Sequence, residues 1–291
     1  MAVTIGLPVG SDLDGFEQAV RSVFAQTDES WKLLIVCDGS PEAIVERALA
    51  IDDDRVMVVV GTQNEGLAFR LNQISQLAQT EYVMRMDGDD IMHPSRLELQ
   101  MRYLSQHPDV DVLGSGSYLI DEKARVCGSY KEPALPNKLS GFLANGVFSH
   151  PTVVFKREWS IANPYETKWL RTEDKELWLR AARASRYAKI EDRLVYCRVP
   201  VALSITKQSF TAGYDRKLVR TAGRAVASQV RIAGYILKSH IKQFVFRCLV
   251  TLGQSEIVHR SKYHPLNAVE LAAAELDIRR SLSAEVRGWN S

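Results

Sequence analysis

Paired cysteines are missing from this chain. The four present, Cys37, Cys127, Cys197 and Cys248, are widely scattered with no C-x-x-C pair, which argues against a zinc site and a disulfide framework and suits a reducing compartment. Long apolar runs are missing too. No uncharged stretch approaches membrane-spanning length, and the start, MAVTIGLPVG, has neither a basic flank nor a signal-length apolar core. A cytoplasmic protein is therefore expected. Also absent are G-x-G-x-x-G after the first apolar run and G-x-x-x-x-G-K-[ST] anywhere, which excludes a dinucleotide fingerprint and a P-loop. Any diphosphate must be held differently, and a metal ion is the alternative.

Core material is plentiful. Hydrophobic residues make up 46% and charged residues 25% of 291, enough for one large soluble domain or a domain with an extension. The net charge of +2 hides a division: from Lys207 to Lys262 eleven Lys or Arg face two acids, so this segment carries +9 and the remainder −7. That pattern predicts an acidic, cation-using body joined to a basic segment that can meet an anionic surface. Nucleic acid is not expected as a partner.

Continuous apolar runs at Val3–Val9, Leu33–Cys37 and Val56–Val60 alternate with helical patterns. One carries Phe16, Val20 and Val23, a second runs from about Pro41 to Ile51, and a third, opened by Asn64-Glu65-Gly66, carries Leu67, Leu71, Ile74 and Leu77. Such alternation predicts a parallel sheet covered on both faces. Ligands then bind beyond the carboxyl ends of the strands, where Pro8, Asp38, Asn64 and Asp87 all fall.

The stretch Glu81 to Arg96, EYVMRMDGDDIMHPSR, is the most informative. A short buried strand, Tyr82 to Met86, runs into Asp87, Asp89 and Asp90, with Gly88 leaving room for a ligand at the backbone, and a helix carrying Leu97, Met101 and Leu104 follows Pro94. Two readings stand. Like charges at a strand end call for a divalent ion bridging to phosphate oxygens, or the acids form a solvated turn capping the next helix. Transfer from a metal-held diphosphate to a hydroxyl would also need a base for that hydroxyl. Glu173 and Asp174, ahead of Leu177, Trp178 and Ala181, are the second acidic pair, with plain first-turn charge on a helix as the competing reading. His150 is a candidate for the acceptor side or a structural histidine. Trp169 and Trp178 are candidate sugar platforms or core, and Asp52-Asp53-Asp54 reads as a solvated loop.

The ordered set Leu7-Pro8-Val9, Cys37-Asp38-Gly39-Ser40, Asn64-Glu65-Gly66-Leu67, Arg85-Met86-Asp87-Gly88-Asp89-Asp90, Pro94-Ser95-Arg96-Leu97 and Thr172-Glu173-Asp174 resembles the family 2 glycosyltransferases of the GT-A fold, over roughly residues 3 to 200. The resemblance implies a Rossmann-like, mostly parallel α/β sheet with helices on both faces. It implies an inverting transferase using a nucleotide-diphosphate sugar, a UDP-sugar foremost, with Mn²⁺ or Mg²⁺, in bacterial surface polysaccharide or glycolipid synthesis. Carried over, Pro8 and Val9 border the nucleobase and Asp38 binds it. Asn64, Arg70, Asp87 and Gly88 surround nucleotide and ribose, Asp89 holds the metal with Asp87 beside it, and Asp174 is the base, with Glu173 orienting the acceptor or capping the helix. The chain departs from the family pattern at Cys37, at Gly10-Ser11, and at Pro200, where many relatives have His.

The expected division is 1–205 for the catalytic domain and 206–291 for a basic, mainly helical extension. Within it Leu237, Ile241, Phe244 and Cys248 form an apolar stripe beside Arg231, Lys238 and Lys242. Two uses fit: peripheral attachment to anionic lipid on the inner face of the cytoplasmic membrane, serving a saccharide or lipid-linked acceptor, or packing on the catalytic domain or on a second copy in a homo-oligomer. Other functions compatible with the carboxylates are a nucleotidyltransferase, a phosphatase, another metal-dependent nucleotide-sugar enzyme, or a non-catalytic nucleotide-sugar-binding relative.

Overall fold

The computed structural model describes residues 2–143, 146–199, 203–254, 257–258 and 263–289. Pro200 and three charged members of the basic segment, Glu256, Arg260 and Lys262, lie outside them. The first half alternates as expected: β1 (Val3–Val9), α1 (Leu13–Phe24), β2 (Trp31–Asp38), α2 (Glu42–Leu49), β3 (Val56–Gly61), α3 (Leu67–Leu77), β4 (Tyr82–Arg85). Strands β3, β2, β1 and β4 lie side by side and parallel. All seven residues of β1 are buried, as befits a central strand with helices on both faces. The helices bury the predicted stripes, Phe16, Val20 and Val23 in α1 and Leu71 and Ile74 in α3, although Leu77 ends α3 exposed.

The second half is mixed. It comprises β5 (Ile91–Met92), α4 (Arg96–Gln106), β6 (Val112–Ile120), β7 (Val126–Tyr130), β8 (Val154–Lys156), α5 (Arg157–Ala162), α6 (Glu173–Ala181) and β9 (Tyr187–Arg198). The sheet continues past β4 through β8, antiparallel to both β4 and β6, then β7 and a two-residue β10 (Tyr263–His264). Strand β9 lies off this path, parallel to β6 and antiparallel to β5.

Past residue 205 come α7 (Ile205–Thr221), α8 (Gln229–Thr251) and α9 (Ala268–Leu282). α9 opens on a capping box, Asn267 with Glu270, which satisfies orphan amides at its start. It then returns to the body: Ser281 Oγ donates to Met92 O (2.8 Å) and Tyr196 Oη donates to Ala274 O (3.0 Å). The following segment lies on α1 and α2, with Trp289 against Phe16 and its Nε1 donating to Arg47 O (2.8 Å). In α8 Ile232, Tyr235 and Ile236 face the core, while Leu237, Ile241 and Phe244 are 62%, 55% and 68% exposed. Among the described residues no helix is long and apolar enough to cross a membrane.

Candidate active site

The carboxyl ends of β1, β2 and β4 meet at one sheet edge, bringing Val9, Asp38 and the acidic loop together. Asp38 turns towards the β3–α3 loop, accepting from Glu65 N (2.8 Å), Gly66 N (3.0 Å) and Arg70 Nε (2.7 Å). Gly66 has φ +87°, a conformation costly for a residue with a Cβ, and it opens α3. Arg70 is buried and also donates to Gln63 O (2.8 Å) and Gln73 Oε1 (3.0 Å). The Asp38–Arg70 pair thus fastens the loop bearing Asn64, which is itself exposed.

Strand geometry ends at Arg85, so period-two alternation does not place Asp87 and Asp89; a turn does. A Cβ on Gly88 would lie 2.8 Å from Pro8 O, so the acidic loop rests directly on the end of β1. Gly88→Ala is accordingly expected to push the two segments apart at a cost of about 1–3 kcal/mol, measured by urea denaturation, with parental stability counting against this close packing.

Burial and then the charge of Asp87 push the Asp89 carboxyl above the usual range, and Asp90, deeper still, is pushed well above it by burial and by both neighbours. Three groups answer this charge. Arg85 donates to Asp87 Oδ1 (2.5 Å). Arg198 donates its backbone N to Asp90 Oδ1 (2.7 Å) and its Nε to Asp89 O (2.9 Å), with further bonds to Asp121 O, Glu122 O and Gln18 Oε1. Arg96, wholly buried and brought down to about 9 by that burial, holds Arg85 O (2.9 Å) from below.

Arg85 is 2% exposed, and its Nε and Nη1 have no hydrogen-bond partner. Its charge also reaches the second acidic pair. Glu173 and Asp174 form the first turn of α6, where both complement the helix dipole. Burial raises both carboxyls, while Arg85 and the Lys175 amide pull Asp174 back and Asp174 itself pushes Glu173 further. Asp87 adds to the rise of Glu173, so the two acidic centres lie within electrostatic reach of one another.

A cavity of about 450 Å³ has Asp174 on one wall and Lys238 and Lys242 of α8 on another. His150 is held by the Tyr165 hydroxyl (2.8 Å), and burial lowers its pKa well below the ordinary value, which fits a neutral structural histidine. Trp169 and Trp178 are buried, and Trp178 stacks on Trp159, so both belong to the core. Asp53 pairs with Arg55 in its loop.

Oxygen ligands in an acidic loop fit a hard divalent cation. Among the described residues no three His, Cys, Asp or Glu side chains converge as a metal cage. One or two carboxylates completed by water and substrate phosphate is the ordinary arrangement for Mg²⁺-like ions.

Arg198 and Arg85 are the candidate-site residues that motif reading passes over, because their place depends on partners supplied by the fold.

The profile of the family described as Glycosyl transferase family 2 matches residues 7–160, more than half of the chain. EpsE of Bacillus subtilis (strain 168), named as a glycosyltransferase, is 29% identical over 246 residues, covering 78% of this chain and 84% of EpsE. The amylovoran biosynthesis glycosyltransferase AmsE of Erwinia amylovora is 28% identical over 242 residues, 80% of this chain and 83% of AmsE. The mannosyltransferase PcManGT of Pyrobaculum calidifontis, solved with GDP-Man and Mn²⁺, superposes with a TM-score of 0.60 at 15% identity, over 96% of this chain and 85% of its own.

Proposed function

The chain belongs to glycosyltransferase family 2, and from that we propose an inverting transfer of a sugar from a nucleotide-diphosphate donor to an acceptor hydroxyl, in the synthesis of a surface polysaccharide or glycolipid. The observation that carries this reading is the acidic loop Asp87–Asp90 packed on the carboxyl end of β1 near the loop fastened by Asp38 and Arg70, with a second acidic pair, Glu173–Asp174, opening α6. The amylovoran name of AmsE supports the polysaccharide setting.

In the proposed reaction Asp174 accepts the acceptor's proton as the acceptor oxygen bonds to the anomeric carbon. The bond from that carbon to the diphosphate oxygen breaks, and the nucleoside diphosphate leaves with the electron pair. Attack opposite the leaving group inverts the configuration. Asp89, with Asp87 beside it, would hold Mn²⁺ or Mg²⁺, which when bound neutralises the charge on the departing diphosphate. Pro8, Val9 and the loop fastened by Asp38 and Arg70 border the nucleotide, with Asn64 at the rim and Gly88 letting the ligand approach the backbone.

The competing chemistries fit less well. An aspartyl phosphatase wants a nucleophilic Asp after β1, where Gly10-Ser11 stands, and a binding-only relative has no use for a second acidic centre. A panel of UDP- and GDP-sugars with and without Mn²⁺ tests the proposal. Nucleoside diphosphate release from one donor, dependent on metal, is expected; no binding and no release across the panel would refute it.

The exposed Leu237, Ile241 and Phe244 stripe, in a segment rich in Lys and Arg, supports peripheral attachment to anionic lipid. Leu237→Asp with Phe244→Asp is expected to reduce sedimentation with phosphatidylglycerol vesicles by about tenfold or more, since each side chain contributes roughly 1.5–3 kcal/mol when buried. Equal sedimentation of parent and variant, or none by the parent, would leave the stripe to protein contacts.

A further inference from the structure

We propose that the cavity beside Asp174 takes an acceptor carrying a phosphate group, with Lys238 and Lys242 as the groups that hold it; this rests on the glycosyltransferase reading above. The sequence places both lysines next to the apolar stripe of α8, as candidates for lipid contact. Both remain exposed, and both line the cavity of about 450 Å³ that Asp174 also lines. They are four residues apart, one helical turn, so their ammonium groups serve one region of the wall.

Neighbouring charges are already committed. Lys175 pairs with Asp215, and Arg216 donates to Ser239 Oγ (3.2 Å) and Gln243 Oε1 (2.9 Å). No ion pair among the described residues engages Lys238 or Lys242.

Other polar groups on the cavity are unsatisfied as well. Thr172 is 4% exposed and its hydroxyl has no partner, although it stands at the N-cap of α6, where such a hydroxyl ordinarily accepts from the first-turn amides. Gln208 Oε1, also on the cavity, is a buried acceptor without a partner, suited to a hydroxyl of the acceptor and not to its phosphate. Orphaned buried polar atoms cost stability unless something completes them. Arg171, at the lip, sits at φ +67°, a strained conformation for a residue with a Cβ and one that collects at functional sites.

Two ammonium groups, a free hydroxyl and a helix start together supply donors for a tetrahedral oxyanion. Asp174 and Asp215 line the same cavity, but with Asp215 taken by Lys175 the two lysines exceed the acidic charge left to face them. Leu143, Val219 and Tyr235 add an apolar wall for the rest of the acceptor. With the phosphate on the lysines, the hydroxyl to be glycosylated lies towards Asp174.

A soluble glycosyl phosphate and a lipid phosphate share this chemistry, and the test separates them. Inorganic phosphate and glucose 1-phosphate are titrated calorimetrically into the full chain in metal-free buffer, against the parent, K238Q/K242Q and the charge-keeping K238R/K242R. Saturable binding by the parent, weaker by about tenfold or more in the Gln pair and restored by the Arg pair, is expected for two lost charge-assisted contacts. Displacement of phosphate by phosphatidylglycerol vesicles assigns the lipid source; tighter binding of glucose 1-phosphate without displacement assigns the soluble one. Absence of saturation in the parent, or equal binding by parent and Gln pair, overturns the proposal. Nucleotide-sugar binding with Mn²⁺, followed by tryptophan fluorescence, is the separate control: its absence in the parent refutes the underlying transferase reading, and its loss in the Gln pair alone assigns the lysines to the donor and overturns the acceptor site.

Discussion

Replacing Asp174 by asparagine is expected to lower sugar transfer by about 10²- to 10⁴-fold while donor affinity stays that of the parent. The amide keeps the shape and the hydrogen bond from the first turn of α6 but cannot accept the acceptor's proton. The loss should therefore appear in turnover at saturating donor. Burial holds the parent carboxyl above the ordinary aspartate range, which makes it a stronger base. It must be ionised to act, so transfer is expected to fall as pH drops through that raised value, with an acid limb above the usual carboxylate range. In the asparagine variant the residual rate should lose this limb. Product stereochemistry read by NMR is an independent check, because base-assisted single displacement requires inversion. A retained configuration removes Asp174 from the role of base, and parental turnover in the variant shifts that role to Glu173.

Asp89→Ala is expected to abolish Mn²⁺-dependent turnover and to weaken nucleoside diphosphate binding without unfolding the protein. The carboxyl is held above its usual range by burial and by Asp87, so without a cation it is a crowded charge. Its removal relieves Asp87 and Asp90, and thermal denaturation in EDTA should show the variant at least as stable as the parent. In Mn²⁺ the order should reverse, since only the parent gains stability by binding the ion. Metal-dependent transfer near the parental rate would sink the assignment.

The parallel half of the sheet was legible because its strands are continuous apolar runs and its helices carry clear stripes. The second half hides that signal. β6 reads VLGSGSYLI, and the small residues Gly114 to Ser117 interrupt the apolar run although the strand is almost wholly buried between β8, β9 and β7. β9 mixes charge with apolar residues because its middle is partly exposed. At the site, Asp87, Asp89, Glu173 and Asp174 stand out because carboxylates cluster along the chain. Arg198 does not, since its meaning lies in partners 108 and 109 positions earlier. For α8 the period revealed an apolar stripe but not which side the body would claim: the core took Ile232, Tyr235 and Ile236, and Lys238 and Lys242 went to the cavity.

Trp289 resting on Phe16 has a consequence for biosynthesis. α1 is made long before part of its apolar covering, which comes only when α9 and the segment behind it have been synthesised. Until then the nascent sheet displays Phe16 and the outer side of β5 and β9 to solvent. Pairing so distant in the chain slows folding and prolongs exposure to aggregation. A ribosome stalled just short of residue 268 should therefore hold a chain that chaperones still bind, and that binding should weaken once residues 268–289 have emerged.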